Sequence, residues 1–118
     1  MQIFDKFLPR LQDSNSKVNL HALKVMHHVV PMLKDALHQV ITLSVGSVVP
    51  NLSSKNSEIK STATDILESY MEHLDHSLLV QPFSNQAQCA SGLSKSDMVM
   101  KVACKYLYNM ILHSWNIY

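Results

Sequence analysis

The sequence repeats itself at an interval of 41 positions. The segment FLPRLQDSNSKVNLHA at Phe7–Ala22 recurs as VVPNLSSKNSEIKSTA at Val48–Ala63. A weaker third copy follows, one residue out of step, around Val99 and Ala103. Because each copy of such a repeat has to bury its apolar face against the next copy, the repeat strongly limits the possible folds. The residues identical in the first two copies are Pro9 and Pro50, Leu11 and Leu52, Asn15 and Asn56, Ser16 and Ser57, and Ala22 and Ala63.

Each copy predicts a pair of helices. Apolar residues recur at spacings of three and four, as in the stripe from Asp35 to Leu52, which predicts an amphipathic helix. Serine-rich turns precede the second helices and can cap their free N–H groups. A period of about 40–47 residues is typical of HEAT and armadillo repeats. We therefore predict an all-α, right-handed solenoid of about three HEAT-like hairpins, with residues 1–118 in one domain. The predicted hairpins cover about Gln2–Val30, Asp35–Leu74 and Ser77–Trp115.

Prolines are expected to interrupt these helices. Pro9 and Pro50 each lie two residues before the last leucine of a first helix. A proline there removes a backbone donor and crowds the carbonyl four residues back, so the last turns should be distorted. Pro31 is expected to end or kink the helix that begins near Ser16.

Composition excludes several classes of function. The formal net charge is only +1, which gives no overall case for a nucleic-acid partner. No apolar stretch approaches the roughly 20 residues that a membrane-spanning helix needs, and the N-terminus has no apolar signal segment. Cys89 and Cys104 have no metal or redox spacing, so we expect reduced thiols and a cytoplasmic protein.

Seven histidines raise the possibility of a metal site. The closest pairs are His27 with His28 and His73 with His76, but zinc needs three or four ligands and no cysteine lies nearby. No nucleophile–base order, glycine-rich phosphate loop or carboxylate pair stands out. We therefore expect no metal, no cofactor, no small-molecule substrate and no enzymatic activity. An enzyme or metal protein that uses the histidines is the less favoured alternative.

The segments PRLQDSNSKVNLHAL and PNLSSKNSEIKSTAT resemble the HEAT repeats of TOG domains, in the form found in the CLASP and crescerin groups. The later string Leu78–Phe83 adds to the resemblance, which covers roughly Phe4 to Ala103. A TOG domain resembles six stacked repeats, and three are visible here, so the resemblance implies part of a longer array. It also implies a cytoskeletal, and by the crescerin likeness a ciliary, location.

The resemblance further implies a non-catalytic module that regulates microtubules by binding tubulin through the loops inside each repeat. Lysines at these loops would suit an acidic partner such as tubulin, and Asn15 and Asn56 would shape the loops. The implied loops are Gln12–Lys17, Ser53–Glu58 and Gly92–Asp97, and the implied contacts are Lys17, Lys55 and Lys95.

Two simpler interpretations remain open. Each loop also carries an acid (Asp13, Glu58 or Asp97), so the lysines could belong to locally neutral, solvated helix starts. Alternatively, the chain could be a general HEAT scaffold that holds another protein on a helical face, without binding tubulin.

Overall fold

The computed structural model describes residues Gln2–Cys89, and these form an all-α fold of helical hairpins. The first hairpin pairs α1 (Gln2–Phe7) with α2 (Ser16–Leu33), and the second pairs α3 (Ile41–Val48) with α4 (Ser57–His73). Helix α5 (His76–Cys89) follows α4 and packs mainly on α3. The predicted helical class and the first two hairpins are confirmed. The right-handed solenoid stays a prediction, and the rest of the third repeat lies outside the described residues.

Pro9 and Pro50 have the predicted effect on the first helices. After α1 the chain tightens into a 3-10 turn at Leu8–Gln12, and after α3 it does the same at Val49–Ser53. Each proline lies in the first two positions of its turn, where the missing N–H would have closed an α-helical hydrogen bond. Both hairpins therefore have a proline-containing 3-10 turn at the same place, so the sequence repeat is also a repeat of backbone structure.

One predicted helix end lies further along the chain, and one predicted helix is divided. Helix α2 continues through Pro31 to Leu33 and ends where Lys34 takes a φ of 47°, a left-handed value that an α-helix cannot continue through. The single helix expected from Asp35 to Leu52 is instead a 3-10 turn at Lys34–Gln39, then α3, then the second proline turn. Its apolar spacing reflects burial of both short segments, because Leu37 and Val45 are each fully buried.

The core lies between the hairpins. Helix α2 packs along α4, and α3 packs against the first proline turn and α5. Leu23, Met26 and Val30 of α2 are fully buried, on the stripe that faces the second hairpin. No helix in the part of the chain that the structure describes is both long and apolar enough to cross a membrane.

One polar pair is built into this core. The Tyr70 hydroxyl of α4 and the Ser44 hydroxyl of α3 are hydrogen-bonded to each other, and both residues are fully buried. Burial raises the pKa of Tyr70 well above its ordinary value, and the hydrogen bond to Ser44 partly opposes this increase. The pair joins the two helices of the second hairpin at a position where an unpartnered hydroxyl would be costly.

Candidate functional site

The first two predicted loops have the same backbone geometry. We call Gln12–Lys17 and Ser53–Glu58 together the loop edge. Asn15 has φ −79° and ψ 115°, and Asn56 has φ −81° and ψ 115°. The residues that end the preceding 3-10 turns, Asp13 and Ser54, likewise agree within a few degrees. The repeat therefore presents one loop conformation twice.

Asn15 and Asn56 are the N-caps of α2 and α4. The Asn15 Oδ1 accepts hydrogen bonds from the backbone N–H groups of Lys17 (3.0 Å) and Val18 (3.4 Å). The Asn56 Oδ1 accepts equivalent bonds from Glu58 (2.9 Å) and Ile59 (3.2 Å). Such caps satisfy N–H groups that a helix leaves free at its start. Both asparagine side chains are thus turned to their own backbone and shape the loops.

A second side chain braces each loop from the other side of the cap. The Asn15 N–H donates to Asp13 Oδ1 at 2.9 Å, and the Asn56 N–H donates to Ser54 Oγ at 3.1 Å. These short-range bonds are the turns that Asp and Ser side chains commonly make with backbone two residues on. Each loop is therefore held at two points before any partner arrives.

A buried pair of asparagines, which the sequence analysis did not identify, joins the two loops. Asn19 Nδ2 donates to the Leu11 carbonyl (2.6 Å) and to Asn51 Oδ1 (3.2 Å). Asn51 Nδ2 also donates to the Leu11 carbonyl, at 2.9 Å. Since Leu11 belongs to the turn before the first loop and Asn51 to the turn before the second, this network holds the loops side by side. Asn19 lies on a core-facing position of α2. A polar residue at such a position was the sequence signal that could have identified this pair.

The same network makes a formal N-glycosylation sequence inaccessible. Asn51-Leu52-Ser53 has the sequence of an N-glycosylation acceptor. However, the Asn51 side chain is buried and its Nδ2 also donates to the carbonyls of Ser47 (3.1 Å) and Val48 (3.2 Å). The amide is therefore committed to the backbone and inaccessible in the folded chain.

The lysines Lys17 and Lys55 are both exposed on the loop edge. They do not occupy equivalent positions: Lys17 is in the first turn of α2, whereas Lys55 precedes the cap of α4. Neither forms an ion pair with any residue of Gln2–Cys89. Lys95 and its loop at Gly92–Asp97 lie outside the described residues.

The loop acids are paired with other cations. Asp13 Oδ2 accepts from Arg10 at 2.7 Å, and Glu58 Oε1 lies 3.6 Å from the Lys24 ammonium. Neither of these two acids is therefore paired with the lysine of its own loop. Lys17 and Lys55 give the loop edge a positive charge that its own acids do not neutralise.

The histidines in the described part of the chain show no metal-binding arrangement. His27, His28 and His73 line an open groove between α2 and α4, together with Asp65 and Glu72. Among the described residues, no group of three or more His, Cys, Asp or Glu side chains is placed to hold a metal ion.

Comparison with known proteins places this chain beside one group of curated relatives. It is 45% identical over 104 residues to the TOG array regulator of axonemal microtubules protein 1 of Homo sapiens, and equally to that of Mus musculus. The match covers 87% of this chain but spans only 6% of the length of either relative. The chain is therefore related to a short region of these TOG array regulators.

The other comparisons found no counterpart. No protein-family model matches the chain. No solved structure matches it either.

Proposed function

We propose that this chain is a TOG-like module, part of a longer HEAT array, that binds tubulin through the loop edge and so regulates microtubules. The observation that carries the proposal is the repeated, braced loop that presents Lys17 and Lys55 without ion-pair partners among residues Gln2–Cys89. The relationship to regulators of axonemal microtubules supports tubulin as the partner and the cytoskeleton, including the cilium, as the location. The proposed role is non-catalytic.

In the proposed mechanism, rigid loops present the charged lysines to the partner. The caps and braces fix each loop, and the asparagine network fixes the loops relative to each other. Little conformational entropy is then lost when a partner binds, which improves affinity without additional contacts. Lysines on such an edge would accelerate encounter with an acidic partner and fix the register of the complex.

The lysines can be tested by removing charge while keeping side-chain length. We expect Lys17→Gln and Lys55→Gln each to weaken binding to tubulin dimers about fivefold, and the double variant about thirtyfold, because charges at an interface contribute mainly to association rate and register. The losses should be larger in low salt than in moderate salt. Biolayer interferometry with immobilised tubulin measures both the affinities and the association rates.

Lys34→Gln is the matched control. Lys34 is also exposed but lies just beyond the C-terminal end of α2, about 27 Å along the helix axis from its start. This control should bind like the unaltered chain. If tubulin binding were retained in the double variant, or reduced as much by Lys34→Gln, the loop edge would not be the tubulin site. Binding that depends on a helical face instead would favour a general HEAT scaffold.

A further inference from the structure

A second charged surface lies at the end of the molecule opposite the loop edge. The groove between α2 and α4 is formed by the second half of each helix, with His27 and His28 on α2 and His73 on α4. The loop edge lies at the starts of the same two helices. We call this surface the end groove; it holds about 560 Å³ and is open to solvent.

The end groove is acidic. Asp65, Glu68 and Glu72 follow one another on α4 at spacings of three and four, so they share one face of the helix. None of the described residues that line the groove is a lysine or an arginine, so these three carboxylates give it a formal charge of −3 when the histidines are neutral. The last turns of α2 and α4 also line it, and free carbonyls at helix ends add partial negative charge. The end groove therefore favours a cation.

Lysine and arginine side chains of the described chain do not neutralise this charge. Asp65 forms no ion pair with any residue of Gln2–Cys89. Glu72 Oε2 lies 3.7 Å from His73 Nε2, a contact that is an ion pair only when the imidazole is protonated. Lys24 of α2 pairs instead with Glu58, at the start of α4. The carboxylates of the end groove are thus available to a cation from outside.

A buried hydroxyl opens into the same groove. Ser69 is 6% exposed, lines the groove and lies one helical turn after Asp65. The hydroxyls of Thr62 and Thr64 bond to carbonyls four residues back, whereas the Ser69 hydroxyl has no hydrogen-bond partner among residues Gln2–Cys89. No fully enclosed polar side-chain atom in this part of the chain lacks a partner, so the Ser69 oxygen is reached through the groove. Since buried polar groups are commonly hydrogen-bonded, this hydroxyl suits a ligand with a donor group.

We propose that the end groove binds an arginine-containing segment of a partner protein. A guanidinium is planar and carries several N–H donors, so it can bind the Asp65 carboxylate through two hydrogen bonds and also reach the Ser69 hydroxyl. It also stacks on aromatic rings, which the imidazoles of α2 provide. Asp65 and Glu72 are seven residues apart, about 10 Å along the helix, and this matches two arginines three positions apart in an extended segment. Anionic partners would be repelled.

The test is fluorescence anisotropy of the full chain with a fluorescein-labelled Gly-Arg-Gly-Gly-Arg-Gly peptide in low salt. We expect the peptide to bind, and the same peptide with lysines to bind about fivefold more weakly, because an ammonium cannot form two parallel hydrogen bonds with a carboxylate. Asp65→Asn together with Glu72→Gln should weaken binding about tenfold, as the loss of two exposed ion pairs. Ser69→Ala should weaken it about threefold, as the loss of one hydrogen bond. Circular dichroism checks that each variant is folded.

Asp5→Asn together with Glu58→Gln is the matched control. It removes the same two charges from exposed positions outside the end groove, so its affinity should stay within about twofold of that of the unaltered chain. Equal losses in the two double variants, or failure of the folded, unaltered chain to bind the arginine peptide, would overturn the proposal. Lys17 and Lys55 lie at the other ends of the helices, so Lys17→Gln with Lys55→Gln should still bind the peptide, whether or not it binds tubulin.

Discussion

Replacement of Asn51 by alanine is expected to lower the free energy of unfolding by about 2–4 kcal/mol, because several buried hydrogen bonds are lost together and an unsatisfied buried group costs about 1–3 kcal/mol. The variant removes the donor to the Leu11, Ser47 and Val48 carbonyls and the acceptor for Asn19. Urea denaturation monitored by circular dichroism measures the change.

The repeat supplies a matched control for this experiment. Arg10 lies 41 positions before Asn51, in the equivalent turn of the first hairpin, but it is exposed and its recorded partner is Asp13. Arg10→Ala should therefore cost less than about 1 kcal/mol, as exposed ion pairs commonly do. If the two variants were equally stable, the asparagine network would not be holding the loops together.

Replacement of Tyr70 by alanine is expected to have the other large effect, about 3–5 kcal/mol, because it would leave a cavity in the middle of the second hairpin. Tyr70→Phe should cost about 1–2 kcal/mol, since it leaves the buried Ser44 hydroxyl without its partner. The double variant Ser44→Ala with Tyr70→Phe should recover part of that loss. A full thermodynamic cycle from urea denaturation separates the hydrogen bond from the packing.

The same residue makes stability sensitive to alkaline pH. Burial raises the pKa of Tyr70, so the folded chain holds this proton more tightly than the unfolded chain does. The resulting stability is fully present below the unfolded tyrosine pKa of about 10 and is lost as pH rises above it. Tyr70→Phe should therefore show a smaller fall in stability above pH 10 than the unaltered chain. Equal falls in both would mean that Tyr70 ionises freely in the folded state.

Much of the fold could be predicted because equivalent residues in the two copies of the repeat adopt the same local structure. Identical residues 41 positions apart, such as Asn15 and Asn56, mark equivalent caps, and the structure gives them nearly identical backbone angles. The apolar spacing also predicted much of the buried core, although Val18 and Val25 of α2 are 38% and 37% exposed. It did not predict the break at Lys34, because an apolar stripe continues across two short helical segments as readily as along one helix.

The candidate site was less accessible from sequence. The loops and their lysines could be placed by the repeat, but the partners of the loop acids could not. Arg10 is three residues from Asp13 and could have been paired with it from sequence, whereas Lys24 reaches Glu58 only because α2 packs along α4. Likewise, Asn19 and Asn51 are 32 positions apart and meet only after both hairpins have formed. Such contacts depend on tertiary packing, which local patterns do not specify.

We propose that this chain binds tubulin through charge on the loop edge. Sedimentation velocity of the chain with free tubulin dimers, in low and then in moderate salt, tests it most directly. We predict a faster-sedimenting complex in low salt whose population falls as salt screens the lysines. Failure of a folded chain to form a complex at either salt concentration would contradict the claim.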